Sequence, residues 1–311
     1  MNRREALALG MYAGAAAVGS RGVRAASASS HELALVTKAI PSSGERLPVI
    51  GVGTNAFSPR SPDELASLRD VLKRLPELGG AVVDTAPIYG QSESVIGDLV
   101  GSLGVRKQLF LATKVMARDA EAGKASMDES LQKLKTERVD LLQVHNLVGV
   151  DAMLPLLQEW KKAGRIRYFG ITTSNPADHP RMIEAMRRYT LDFIQVDYSI
   201  GNRGAADQVL PLAQERGTAV LVNVPFGGRR GAASVFAQVA GRKLPDWAAD
   251  IDVESWGQFF LKYVVSHPAV TCTIPGTTQL AHLEDNQRGG RGRLPDAAMR
   301  KRMEQVWDTK A

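Results

Sequence analysis

The chain is poor in cysteine: Cys272 is the only one in 311 residues. An internal disulfide and a cysteine-built zinc site are thereby excluded, and no resident metal is expected. Cys272 lies in the apolar run "VTCTIPG", where a small buried side chain is its plainest reading. No G-x-G-x-x-G follows any apolar run, which weighs against an open sheet that binds a dinucleotide at a glycine-rich turn. Aromatic residues make up 6% of the chain. None is interleaved with the one basic cluster, "RGGRGR" at Arg288 to Arg293, so there is nothing to stack on a base. Nucleic acid is not an expected partner.

What is present divides into two unequal parts. Residues 1–28 hold the pair Arg3 and Arg4, a small-residue, weakly apolar run and the A-x-A string Ala26-Ser27-Ala28. This is the layout of a twin-arginine export signal cleaved near Ala28. Its apolar part is too short and too weak to span a bilayer. It predicts delivery to the periplasm through the twin-arginine machinery, with the cytoplasm as the other reading. The segment has four arginines against Glu5, so its removal lowers the formal charge from +6 to +3. The high isoelectric point is therefore not evidence for a polyanionic partner. Residues 29–44 read as a linker and the start of a hairpin, and 45–311 as the catalytic body.

From residue 48 onward, short runs of branched apolar residues alternate with amphipathic stretches. "PVIGVGT" precedes "PDELASLRDVLKRLPEL", "AVVDT" precedes "SESVIGDLVGSL", and the alternation continues to "VTCTIPG" before "QLAHLEDN". Near-continuous apolar strands are those buried on both faces. Eight strand-plus-helix units in about 240 residues predict an α/β fold, a (β/α)8 barrel. Ahead of them, apolar runs on both sides of "PSSGE" predict a hairpin that plugs the barrel floor. Behind them, "PDAAMRKRMEQVWDT" predicts a terminal helix with Pro295 at its start. The long connection from Phe226 to about Asp252 reads as a flap over the mouth.

In such a barrel, chemistry gathers where strands end. The second strand ends at Asp84, the third at Lys114 and the fourth at His145. The intervals, 30 and 31 positions, each equal one repeat, so three ionisable residues converge. Tyr89 follows on the loop after the second strand. A buried Asp84 needs a cation, which Lys114 supplies. An ammonium beside a phenol favours phenolate and makes Tyr89 a better proton donor. His145 can orient a carbonyl oxygen. No protein nucleophile accompanies the group, so the attacking species is expected to be a hydride from a cofactor.

"DTAPIYG", "FLATK" and "LLQVHN" resemble the catalytic tetrad motifs of the aldo-keto reductase family, and the resemblance runs from about residue 45 to the end. It implies Tyr89 as general acid, Lys114 as its partner, Asp84 holding Lys114 and His145 positioning the substrate. It implies reduction of an aldehyde or ketone by NADP(H), with NAD(H) as the other candidate, in a monomer. It places Thr172 and Thr173 where the family holds the nicotinamide amide, with Ser174 and Asn175 as a shifted alternative. Gln195 matches the family's amide-binding glutamine. Asn223 falls where the family stacks an aromatic ring, with Phe226 close by. Gly227 and Arg229, or Arg230, in "PFGGRRG" offer contacts for pyrophosphate. Thr277 and Asn286 match the adenosine-phosphate motif, but Gly276 and His282 stand where many members have cations. A non-catalytic cofactor-binding sensor on the same barrel is the alternative, and a barrel isomerase the third reading.

Overall fold

The computed structural model of the chain describes residues 33–228 and 233–309. The expected export signal and Arg229 and Arg230 lie outside the described residues. Among the described residues, no helix is long and apolar enough to cross a membrane.

The described residues begin with an antiparallel hairpin of β1 (Thr37–Ala39) and β2 (Arg46–Pro48). The turn at "PSSGE" joins them, as the sequence predicts. The barrel units follow in order: β3 (Val52–Gly53) with α1 (Pro62–Glu77), β4 (Val82–Asp84) with α2 (Ser92–Leu103), and β5 (Phe110–Val115) with α3 (Ala120–Lys133). Next come β6 (Val139–His145) with α4 (Val150–Lys162), β7 (Ile166–Thr172) with α5 (His179–Arg188), and β8 (Phe193–Asp197) with α6 (Val209–Glu215). β9 (Ala219–Asn223) leads through a short α7 (Val235–Gln238) to α8 (Trp256–Val265). β10 (Cys272–Thr273) and α9 (Leu280–Arg288) complete the eighth unit, and α10 (Ala297–Asp308) follows.

Local sequence explains the helix starts. Ser61 accepts from the Glu64 N–H with Pro62 at the first turn, and Asp119, Ser255 and Asp296 cap α3, α8 and α10 in the same way. Helix α1 buries Leu68, Val71, Leu72 and Leu75, the spacing of one face of a 3.6-residue helix.

β3 to β10 form one eight-stranded sheet in sequence order, with every neighbouring pair parallel. Parallel bridges Ile50 to Thr273 and Gly53 to Gly276 link its two edges and close the barrel. Alternate residues on each strand face the axis. Near the floor these are apolar: Phe110, Tyr168 and Phe193 meet with ring centroids 5.5–5.9 Å apart. Ile40 and Leu47 from the hairpin join the same cluster, so the hairpin does plug the floor. The Tyr168 hydroxyl donates to Glu45 and pairs with the Ser43 hydroxyl, each at 2.7 Å, and Arg167 bridges Glu45 and Asp140. Each of these buried rings is worth about 1.5–3 kcal/mol over an exposed one.

The long connection after β9 corrects the expectation of a flap. Phe226, Gly227 and Gly228 do line the mouth. Beyond 232, however, the segment folds down onto α8 and α10. Trp256 Nε1 donates to the Arg242 carbonyl at 2.9 Å, Gln238 to that of Trp307 at 2.6 Å, and Arg242 to that of Val306 at 3.1 Å. Trp247 and Trp256 pack on Phe259. Aromatic burial holds it there, a pull that its glycines and charges conceal in the sequence.

Candidate active site

Strand alternation decides which side chains reach the mouth. Phe110, Ala112 and Lys114 share one face of β5, and Leu141, Gln143 and His145 share one face of β6. Each row starts apolar at the floor and ends in a titratable side chain at the top. Asp84 ends β4 in the same way.

These ends converge as the sequence predicts. Lys114 Nζ donates to Asp84 Oδ2 at 2.6 Å and to the Thr85 carbonyl at 2.7 Å. Both partners are about 2% exposed or less, so neither charge could stand there alone. Burial acts to lower the Lys114 pKa, but the charges of Asp84 and Tyr89 outweigh it, and the net direction is upward. Lys114 stays an ammonium. Its Nζ lies 5.0 Å from the centroid of the Tyr89 ring. The Tyr89 and His145 rings meet edge to face, with centroids 6.0 Å apart.

The loop that presents Tyr89 is pinned by residues the sequence did not single out. Ser58 Oγ donates to the Tyr89 carbonyl at 3.2 Å and accepts from the Gln91 N–H at 3.0 Å. Gly90 sits between them at φ 60°, where an added Cβ would stand 2.7 Å from Ser58 Oγ. Thr54 donates to the Asp84 carbonyl at 2.9 Å, and Ser92 donates to Thr54 and pairs with Thr85. Serine and threonine in "GTNAFSP" carry no local signal of this role, because their partners lie 30 to 38 positions away.

A second set of polar groups extends the charge pair across the barrel. Gln195 Nε2 donates to Asp84 Oδ1 at 2.9 Å. Its Oε1 accepts from the Thr172 hydroxyl at 3.0 Å and from Asn223 Nδ2 at 3.3 Å. Thr172, Gln195 and Asn223 line one cavity of about 290 Å³ together with Asp84, Tyr89 and His145. Phe226, Gly227 and Gly276 also line it. Thr173 does not: its hydroxyl donates to Asp178 and accepts from the Asn175 N–H, while Ser174 takes the place on the wall. Thr277, His282 and Asn286 are not among the lining residues either. Thr277 closes a turn at the start of α9, Asn286 is buried on that helix, and His282 is exposed on it.

These residues fit a nicotinamide dinucleotide. The cavity is bounded by Asp84, Tyr89 and His145 on one side and by backbone at Gly227, Gly228 and Gly276 on the other. An added Cβ at Gly276 would come within 3.1 Å of Asn55 Oδ1, so glycine keeps that edge open. Asn223 Oδ1 is a buried acceptor with no partner among the described residues.

The comparisons with known proteins agree with this geometry. The methylglyoxal reductase YeaE of Escherichia coli K12 is 27% identical over 259 residues, which are 80% of this chain and 88% of that protein. An aldo-keto reductase from Bacillus halodurans in its holo form superposes with a TM-score of 0.71 at 24% identity, over 89% of this chain and 98% of that one. An aldo-keto reductase from Klebsiella pneumoniae in complex with NADPH gives a TM-score of 0.68 at 21% identity, over 89% and 98%. The model of the aldo/keto reductase family matches residues 49–307, a span that contains every barrel strand described above, and the chain belongs to that family.

Proposed function

We propose that the protein reduces the carbonyl group of an aldehyde or ketone to an alcohol, using NADP(H), with Tyr89 as the proton donor. The observation that carries this reading is the buried Lys114–Asp84 contact of 2.6 Å beneath the Tyr89 ring. The nicotinamide cofactor, when bound, supplies the hydride that adds to the carbonyl carbon. The chain's own residues handle the oxygen. The Tyr89 phenol gives its proton to the carbonyl oxygen as negative charge develops there, and Lys114 stabilises the phenolate that remains. Asp84 keeps Lys114 in place, and Gln195 and Lys114 together hold both oxygens of Asp84. His145, at the wall beside Tyr89, orients the substrate oxygen.

Support for the cofactor comes from the family, from the Klebsiella protein held with NADPH, and from the polar wall of Thr172, Gln195 and Asn223. Support for a small carbonyl substrate comes from the relative named a methylglyoxal reductase. The test is oxidation of NADPH and NADH, side by side, with a panel of carbonyls that includes methylglyoxal. Consumption with at least one carbonyl is expected, faster with NADPH. Tight cofactor binding without turnover across the panel would favour a sensor on this barrel.

The same proposal places the protein in the periplasm, on the strength of Arg3, Arg4 and the string ending at Ala28. Amino-terminal sequencing from separated cell fractions tests it: a chain starting near Ser29 outside the cytoplasm is expected, and an intact Met1 in the cytoplasm would refute it.

A further inference from the structure

A second cavity, of about 730 Å³, lies where the strands begin, at the end of the barrel away from the candidate active site. Phe110, Asp140 and Arg167 stand at the starts of β5, β6 and β7, and Arg46 stands on the hairpin. The turn after α2 brings Arg106 and Lys107, and the connection from α3 to β6 brings Lys135 and Arg138. Six cationic side chains thus share this wall with three carboxylates. Two of the carboxylates are already saturated. Arg167 bridges Glu45 and Asp140, and Arg106 adds a contact to Asp140 at 3.1 Å. Asp140 also accepts from the Leu111 N–H at 2.8 Å, and Glu45 from the Tyr168 hydroxyl at 2.7 Å. The outer cations are left over. Lys135 is drawn to Asp98, and Arg46 donates to the hydroxyl and carbonyl of Thr37. Among the described residues, Arg46, Lys107 and Arg138 have no carboxylate partner, and all three are exposed. Exposed Glu137 is the one lining carboxylate that remains to oppose them.

These cations are set in place by the fold. Arg106 donates to the Leu109 carbonyl at 3.0 Å and to the Arg138 carbonyl at 2.8 Å. The Thr136 hydroxyl donates to the same Arg138 carbonyl at 2.9 Å. The turn that presents Lys107 and the loop that presents Arg138 are therefore tied together. Like charges gathered around a concave surface repel one another and attract an anion. A carboxylate offers two oxygens in one plane. A phosphoryl group offers three in a tetrahedron, and so meets cations that arrive from three chain segments. The volume leaves room for an organic body attached to it. We propose that this cavity binds a small organic phosphate, with its phosphoryl oxygens held by Arg46, Lys107 and Arg138. The positive surplus is local, since residues 29–311 have a formal charge of only +3, and it suits a small ligand rather than a long polyanion.

The test is calorimetric titration of the full chain with phenyl phosphate in about 0.15 M NaCl, where loose surface attraction is screened beyond about 8 Å. The titration is run with and without NADPH, because a dinucleotide site could also take up a phosphate. Saturable binding with a Kd below about 1 mM is expected, unchanged by NADPH. Lys107→Met combined with Arg138→Gln should weaken it at least about tenfold and leave NADPH affinity as it was. Each single substitution, on an exposed side chain, should weaken it several-fold and serves if the double variant does not fold. Absence of saturable binding in the wild-type protein would overturn the proposal. So would binding that NADPH displaces, or that survives the substitutions, since the phosphate would then sit elsewhere.

Discussion

The two ends of the barrel are built from the same strands by opposite rules. At the floor, Phe110, Tyr168 and Phe193 pack ring against ring, with Ile40 and Leu47 pressed in from the hairpin. At the mouth, two or four residues further along, the same strands present Lys114, Thr172 and Gln195. At the floor's rim Arg167 bridges Glu45 and Asp140. The mouth keeps an ion pair in the dark, an unpaired amide oxygen and three non-glycine residues at positive φ: Asn146, Leu147 and Val224. The mouth thus combines buried charge with strained backbone, where the floor relies on apolar packing.

Substitutions at each end should separate these roles. The largest effect is expected where they overlap. Lys114→Met leaves Asp84 buried without its cation, which should cost about 3–5 kcal/mol in urea unfolding as well as all measurable turnover. A stability loss below about 1 kcal/mol would contradict the dependence of the buried Asp84 on its cation. Phe193→Ala at the floor should cost about 3–5 kcal/mol through the cavity it opens, while the folded fraction keeps its kcat. A comparable fall in kcat would show that the two ends are mechanically coupled.

The floor also predicts a pH dependence. The hairpin's Lys38 donates to the His267 and Val270 carbonyls, and His267 Nδ1 accepts from the Ala269 N–H. Burial, aided by the charges of Arg300 and Lys38, lowers the His267 pKa from 6.5 to about 4. Between those values the unfolded chain takes up a proton that the folded chain refuses. This contribution to stability is complete above about pH 6.5 and is lost as the pH falls towards 4. His267→Gln should flatten that part of the melting-temperature profile. An unchanged acid slope would remove His267 from the account. The smallest effect is expected at Val224. Val224→Gly relieves the strained φ at a cost in chain entropy, so stability should stay within about 1 kcal/mol while cofactor affinity falls. A larger loss of stability would contradict the assignment of strain.

The candidate site was legible in the sequence because it follows a repeat. Asp84, Lys114 and His145 each end a strand, one repeat apart, and the barrel turns that spacing into contact. The hairpin plug was legible too, since "PSSGE" is a turn between apolar runs. The groups that pin the site were not. Ser58, Thr54 and Ser92 act through partners far along the chain, with no periodicity to reveal them. The wall was half legible. Thr172, Gln195 and Asn223 are where the family pattern puts cofactor contacts, but only three dimensions show them wired to Asp84 and to one another. Thr173 and Ser174 exchanged places because a single-residue step after β7 reverses which side chain faces the cavity.

The stretch from Asp84 to Tyr89 is the centre of the account, and Tyr89→Phe tests it most directly. The substitution removes one hydroxyl and keeps the ring that meets His145 and Lys114. Turnover of a carbonyl substrate and the Kd for NADPH should be measured on the same preparation. The account predicts that turnover falls by at least about 10²-fold while Kd changes by less than about twofold. Turnover near that of the wild-type protein would contradict it.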